Sequence, residues 1–155
     1  MTLEREHKET RRYVIRKALA DALDSLRVDV YDSPLDLRDC SFPNVEIGFF
    51  PNSTRDQVTS GFGAERWNDP FFAYGHFQYK RDDSLREQAD LFEHNMLLAF
   101  LDMQRGKKAK VESDKFVVSI ETVIIDNTTT SIYVESKIGA AQVAGRITSL
   151  IEWKK

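Results

Sequence analysis

Residues 11–50 read RRYVIRKALADALDSLRVDVYDSPLDLRDCSFPNVEIGFF. This stretch determines the predicted fold, because one helix and two strands follow one another in it. Apolar residues recur at spacings of one, three and four from Val14 to Leu26, which predicts an amphipathic helix over residues 9–26. A short alternating strand over 28–31 ends at Asp32-Ser33-Pro34. Pro43 then precedes a second strand over 44–50, a position where a missing backbone donor is tolerated.

The remainder of the chain predicts one further helix and four further strands. Residues 52–69 read as a long irregular loop, and 71–80 as an aromatic strand whose buried side begins with Phe71. A second helix is expected over 85–105, with Asp83 or Ser84 as its N-cap. Strands follow over 116–125, 131–137 and 142–153, with a turn at 126–130. The order α-β-β-β-α-β-β-β predicts a single α+β domain, a mostly antiparallel β-sheet with two α-helices packed on it.

Composition limits the classes of function. The 155 residues are 41% hydrophobic and 11% aromatic, as in an ordinary globular domain. Lys and Arg total 22 against 25 Asp and Glu, for a net charge of -3. This balance speaks against nucleic acid as the main partner, since phosphate binding needs clustered basic charge. A single cysteine, a charged start and the lack of a long apolar run lead us to expect a cytosolic protein without a membrane segment.

Residues that could carry chemistry do not converge on a site. His7, His76 and His94 are scattered, and the Asp90, Glu93 and His94 trio is more typical of a polar helix face than of a metal site. Cys40 has no histidine near it in sequence, although the fold could bring one close, so a packed thiol is the favoured interpretation. The sequence predicts no catalytic residue, no metal ligands and no cofactor.

Two sets of residues are candidates for protein contacts. Trp and Arg dominate interface energies, so the long loop is predicted to contact a partner through Arg55, Phe62, Arg66 and Trp67. The alternative is a flap whose aromatic residues simply pack on the sheet. The second helix is apolar over more than half its circumference. The strand over 71–80 also carries aromatic residues on the face opposite its buried side. A subunit interface is therefore predicted at Leu91, Leu98, Phe72 and Tyr74.

The order of elements resembles the tail-terminator proteins of long-tailed phages, also called minor tail protein U or tail-completion proteins. The family opens with an Arg/Leu/Ala-rich helix like residues 12–19 and continues to a Phe-Pro-hydrophobic-acidic strand like residues 42–47. A loop, an aromatic strand like 71–80, a helix like 85–102 and a closing β hairpin complete the likeness. The charged extension before Glu9 and the large loop at 51–70 depart from the shortest members.

The resemblance implies an assembly role in the virion, at the tail and neck, after assembly in the host cytoplasm. Such proteins form a ring of six copies that caps the tail tube, stops its polymerisation and offers a surface for joining the head. The implied partners are further copies of the chain, the tail tube protein and a head-completion or neck protein, with DNA only passing through the lumen. Three alternatives stay open, namely a head-completion or neck protein, an enzyme or small-ligand-binding protein with a site under the long loop, and a nucleic-acid binder.

Overall fold

The computed structural model describes residues 10–32, 40–56, 64–79, 84–104, 110–112 and 115–154. The fold is α+β, and the described residues form two α-helices and one mostly antiparallel sheet. The helices are α1 (Arg11–Ala22) and α2 (Leu85–Leu101). The strands are β1 (Asp29–Asp32), β2 (Asn44–Phe49), β3 (Thr54–Asp56), β4 (Ala64–Gln78), β5 (Lys110–Glu112), β6 (Phe116–Tyr133) and β7 (Ile138–Trp153).

The strand order across the sheet is β1-β2-β4-β7-β6-β5, and β3 pairs with β4 beside β2. Among the strand pairs that the structure describes, β1 and β2 alone are parallel. Strand β7 is central, because it pairs with β4 from Ala64↔Glu152 to Gln78↔Ile138 and with β6 from Phe116↔Trp153 to Tyr133↔Ile138. The long β6–β7 hairpin therefore sets the length of the whole sheet.

Both helices pack on one face of the sheet, and the core lies between them and the strands. Helix α1 contacts β2, β5 and β6, while α2 lies on β6 and β7. Fully buried side chains from α1, α2, β2, β4, β6 and β7 meet there, namely Ile15, Leu19, Val45, Ile47, Phe71, Met96, Phe100, Phe116, Val118, Ile147 and Ile151. We call the opposite side of the sheet, which carries Glu46, Phe72, Tyr74, Gln142 and Ser131, the open face.

The predicted helices are present but shorter than expected. Thr10 caps α1, since its side chain accepts a hydrogen bond from the Tyr13 N–H, and a 3₁₀ turn over Asp24–Leu26 replaces the predicted last turn. Ser84 occupies the N-cap position of α2, which confirms one of the two predicted cap residues, but it has a left-handed conformation and makes no side-chain capping hydrogen bond. Asp83 lies outside the described residues. The inward side of α2 is confirmed by burial of Ala89, Met96 and Phe100.

The predicted turn at 126–130 is wrong. Strand β6 runs through it without a break, and the hairpin turns instead over residues 134–137. Asp126 is accommodated by a β-bulge, because the register with β7 shifts between Ile125 and Asn127. The predicted strands 116–125 and 131–137 are thus mostly parts of one strand.

The predicted loop over 52–69 is also partly wrong. Strand β4 begins at Ala64 rather than at 71, and β3 pairs with its first residues from Thr54↔Asn68 to Asp56↔Arg66. Pro70 fits within β4 because its carbonyl, which accepts from the Phe50 N–H, points to the side where β2 and β3 leave a gap. Its missing N–H therefore removes no bond to β7.

Candidate interaction surfaces

The outer side of α2 exposes large apolar side chains. Ala89, Met96 and Phe100 point into the core, so the residues on the other side of the helix face away from the sheet. Leu91 and Leu98 lie there, two turns apart, and are 60% and 45% exposed. Exposed leucines at this spacing form a stripe that a partner could cover.

The open face of the sheet carries a band of aromatic side chains. Phe72 packs against Phe50 with ring centroids 5.3 Å apart, and Phe50 is 38% exposed. The Tyr74 and Tyr133 hydroxyls are 2.8 Å apart across β7. Burial raises the pKa of Tyr74 above its ordinary value, and the hydrogen bond with Tyr133 raises it further. Tyr74 is therefore a neutral hydrogen-bonding group at physiological pH.

A buried polar cluster adjoins this band. His76 is 2% exposed although it lies on the open face, and its Nδ1 is 3.2 Å from the Asn44 side-chain oxygen. The Asn44 amide donates to the Cys40 sulfur at 3.2 Å and to the Ser41 carbonyl at 2.8 Å. Burial lowers the pKa of His76, and the nearby Glu46 carboxylate opposes that shift. The sequence left open whether the fold brings a histidine close to Cys40. In the structure, the side-chain amide of Asn44 lies between His76 and Cys40.

A second polar cluster fixes the start of α1 to the sheet. Asp69 on β4 is fully buried, and both of its carboxylate oxygens accept from Arg11 Nη1, at 2.7 and 2.9 Å. Ser53 donates to Asp69 at 2.5 Å, and Arg12 donates to Ser53 and to the Phe50 carbonyl. Burial lowers the pKa of Arg11, and the Asp69 charge opposes that shift. A buried carboxylate with this set of donors fits an anchor between helix and sheet.

The residues predicted to contact a partner do not lie together on a loop. Arg55 is exposed on β3 and pairs with Glu65 at 3.1 Å. Arg66, on β4, pairs with Glu121 at 3.1 Å across the open face. Trp67 is half-buried against the core with the Arg11 guanidinium 4.0 Å from its ring centroid, so it is a packing residue rather than an exposed one. Phe62 lies outside the described residues.

A cleft of about 500 Å³ opens beside the hairpin turn. It is lined by Phe42, Pro43, Phe77, Gln78, Tyr79, Ser136 and Lys137. Among the described residues that line the cleft, Lys137 is the one with a charged side chain, and none is a carboxylate or an imidazole. Over the described ranges, no three His, Cys, Asp or Glu side chains converge as metal ligands.

The sequence missed the role of several of these residues. His76 and Asn44 lie 32 positions apart and become neighbours only through the β2–β4 register. The local sequence predicts a loop at Asp69 and places Tyr133 in a separate strand. The one usable signal was the alternation on β4, which places Phe72, Tyr74 and His76 on the same side.

The sequence matches no protein-family model, and no curated protein matches it significantly. Neither helix of the described chain is both long and apolar enough to span a bilayer.

Proposed function

We propose that this chain is a structural protein of a phage tail, of the tail-terminator kind, and acts as a ring of copies that caps the tail tube. In this role it stops polymerisation of the tube protein and presents a surface to a head-completion or neck protein. The family resemblance of residues 12–50 supports the proposal. It needs no cofactor and no catalytic group.

The observation that carries the proposal is the position of two unlike apolar surfaces on opposite sides of the molecule. Leu91 and Leu98 point outward from α2, and Phe72 and Tyr74 lie on the open face beyond the sheet. A head-to-tail contact joins two different surfaces of identical subunits and closes into a ring when the rotation allows. The α2 stripe of one copy would then pack on the aromatic band of the next.

The tube contact is proposed at the end of the sheet that carries Arg55, Arg66 and Trp67, while Phe62, also predicted to take part, lies outside the described residues. Arg55 and Arg66 are the accessible members, because Trp67 is held under Arg11. Exposed ion pairs contribute little to stability, so both arginines can be replaced without loss of the fold.

The first experiment is the molar mass in solution by light scattering, with and without tail tubes, over a concentration series. We expect a species near six times the 17.9 kDa chain. Replacing Leu91→Glu together with Leu98→Glu should abolish it, because two carboxylates would enter an apolar contact. Arg86→Glu is the matched control, since it changes the net charge by the same two units at an exposed position of the same helix.

The second experiment is tail length, measured by negative-stain electron microscopy in a phage that carries the gene. Loss of the gene should give overlong tails, and the chain with Arg55→Ala and Arg66→Ala should fail to restore normal length. Tails of normal length that lack heads would overturn the terminator role and favour the neck protein. A chain that stays monomeric on intact tubes would overturn the ring.

A further inference from the structure

Near the hairpin turn, none of the described strands pairs with the outer edge of β6. The inner side of β6 pairs with β7 along its whole length. On the outer side, β5 pairs only with Val117, Val118 and Ser119. Within the chain that the structure describes, no strand pairs with the outer side of Thr128–Tyr133, which we call the β6 edge.

The β6 edge lacks the features that normally prevent pairing with another chain. Natural edge strands are protected by lysine, proline, inward charges or bulges. Residues 127–134 read NTTTSIYV, with no charge and no proline. The two bulges of β6 fall earlier, at Glu121 and Asp126, so the segment after them keeps a regular pairing with β7. Threonine and isoleucine also favour an extended backbone.

The β6 edge is complementary to itself in an antiparallel register. If Thr130 lies opposite Thr130 of a second copy, Thr129 lies opposite the partner's Ser131, and Thr128 opposite the partner's Ile132. Hydroxyl pairs of this kind stabilise antiparallel strands, whereas like charges placed opposite one another destabilise them. No charged residue opposes another between Asn127 and Val134. Thr129 and Ser131 are both exposed on the open face, so they are available for this contact.

The helix layer leaves room for a second copy. Helix α2 lies on β6 and β7, and its Phe92 ring reaches β4, since an ideal Cβ placed on Gly75 would lie 2.2 Å from that ring. A two-fold axis at the β6 edge would separate the two α2 helices, each midway between β6 and β7, by two strand spacings, roughly 10 Å. Packed helices need about 8–10 Å between their axes, so the two α2 helices would lie at a packing distance and would not clash.

We propose that the β6 edge pairs with the β6 edge of a second copy of this chain, antiparallel and centred on Thr130, to form one continuous sheet across a two-fold axis. The contact uses backbone groups of an edge strand, not the α2 stripe or the aromatic band. It is therefore independent of the proposed ring, and either proposal can fail without the other.

The register makes a specific covalent test possible. Directly opposed residues of antiparallel strands have Cα atoms about 4.5–5.5 Å apart, within the range that a disulfide spans. In a Cys40→Ser background, Thr130→Cys should form an intermolecular disulfide under mild oxidation. Asn127→Cys is the matched control, since it would oppose Tyr133 of the partner subunit and should stay reduced. Equal cross-linking of the two variants would overturn the register.

Charge substitutions test the pairing without a covalent bond. Thr129→Lys with Ser131→Lys places like charges opposite one another twice, and should raise the concentration at which twice the 17.9 kDa mass appears by roughly tenfold or more. Thr122→Lys, an exposed threonine earlier on β6, is the control and should leave the midpoint unchanged. Mixing the double-lysine chain with a Thr129→Glu, Ser131→Glu chain should restore pairing, which a misfolded variant could not do. A monomer at every concentration, or a dimer that survives both lysines, would overturn the proposal.

Discussion

The two faces of the sheet contain the same kinds of interaction in different surroundings. On the helix side, Asp69 is fully buried beneath Arg11, while the Asp126–Arg146 ion pair of the open face has side chains 41% and 44% exposed. Aromatic pairs show the same contrast. Phe71 and Phe100 meet in the core at 5.6 Å, whereas Phe72 and Phe50 meet at 5.3 Å beside solvent. Burial, rather than the type of contact, decides which of these stabilises the fold and which is available to a partner.

The largest effect is expected from a cavity on the helix side. Phe100→Ala should lower the free energy of unfolding by about 3–5 kcal/mol, because the ring is fully buried and its neighbours can close the space only in part. Leu98→Ala on the same helix should cost less than about 1 kcal/mol. Urea unfolding followed by circular dichroism measures both. Similar losses for the two variants would mean that α2 packs with a different side inward.

The next effect comes from breaking the buried ion pair. Asp69→Asn keeps the shape but leaves Arg11 without its charge partner, and should cost about 2–3 kcal/mol. This is below the cost for a fully buried pair, since the Arg11 side chain is 17% exposed to solvent. Asp126→Asn is the control on the open face and should change stability by less than about 1 kcal/mol. A small effect at Asp69 would show that this cluster is hydrated.

The buried His76 makes the stability of the fold depend on pH. The folded pKa of His76 is lowered, mainly by burial, so the unfolded chain binds the proton more readily. The contribution of His76 to the free energy of unfolding is fully present above the ordinary histidine pKa of about 6.5. It is lost as the pH falls through that value toward the pKa of His76 in the folded protein. His76→Gln should flatten this part of the stability profile, measured by urea unfolding at several pH values. A profile in His76→Gln identical to that of the unchanged protein would contradict this assignment.

The smallest effect concerns a buried hydroxyl. Ser149 is fully buried on the helix side of β7, and its Oγ finds no hydrogen-bond partner among the described residues. Ser149→Ala should therefore leave stability unchanged or raise it by up to about 1 kcal/mol. Ser119→Ala, a half-buried serine on the open face of β6, is the comparison. A clear loss at Ser149 in thermal unfolding would point to a water that bridges this hydroxyl.

Sequence pattern predicted the elements whose periodicity is strong. Helix α1, helix α2 and strand β2 follow from apolar spacing, and the alternation on β4 correctly placed Phe71 and Ala73 in the core. The α+β class followed from the order of these elements. These features are local, so the residues that determine them are close in sequence.

The errors arose where tertiary contacts outweigh local preference. Asp126 and Asn127 are typical turn residues, yet a bulge keeps them in β6, and the true turn at residues 134–137 has neither glycine nor asparagine. It places Lys137 at a positive φ of 54°. Asp69 and Pro70 look like a loop, yet Arg11, 58 residues away, holds Asp69 inside a strand. The candidate interaction surfaces depend on the same long-range pairing. The hydrophobic pattern of the sequence could therefore predict only those of their residues that lie on α2 or on β4 from Phe71 onward.

The central position of β7 has a consequence for how the protein is made. Of the strands described, β7 is synthesised last, yet it joins β4 to β6 in the middle of the sheet. The side of β4 that pairs with β7 therefore stays unpaired until β7 has been synthesised. The β6–β7 hairpin is local in sequence and can form quickly, whereas its docking onto β4 closes a loop of about sixty residues or more and should set the folding rate. Protection of the nascent β4 from other chains is thus a requirement of this topology during translation.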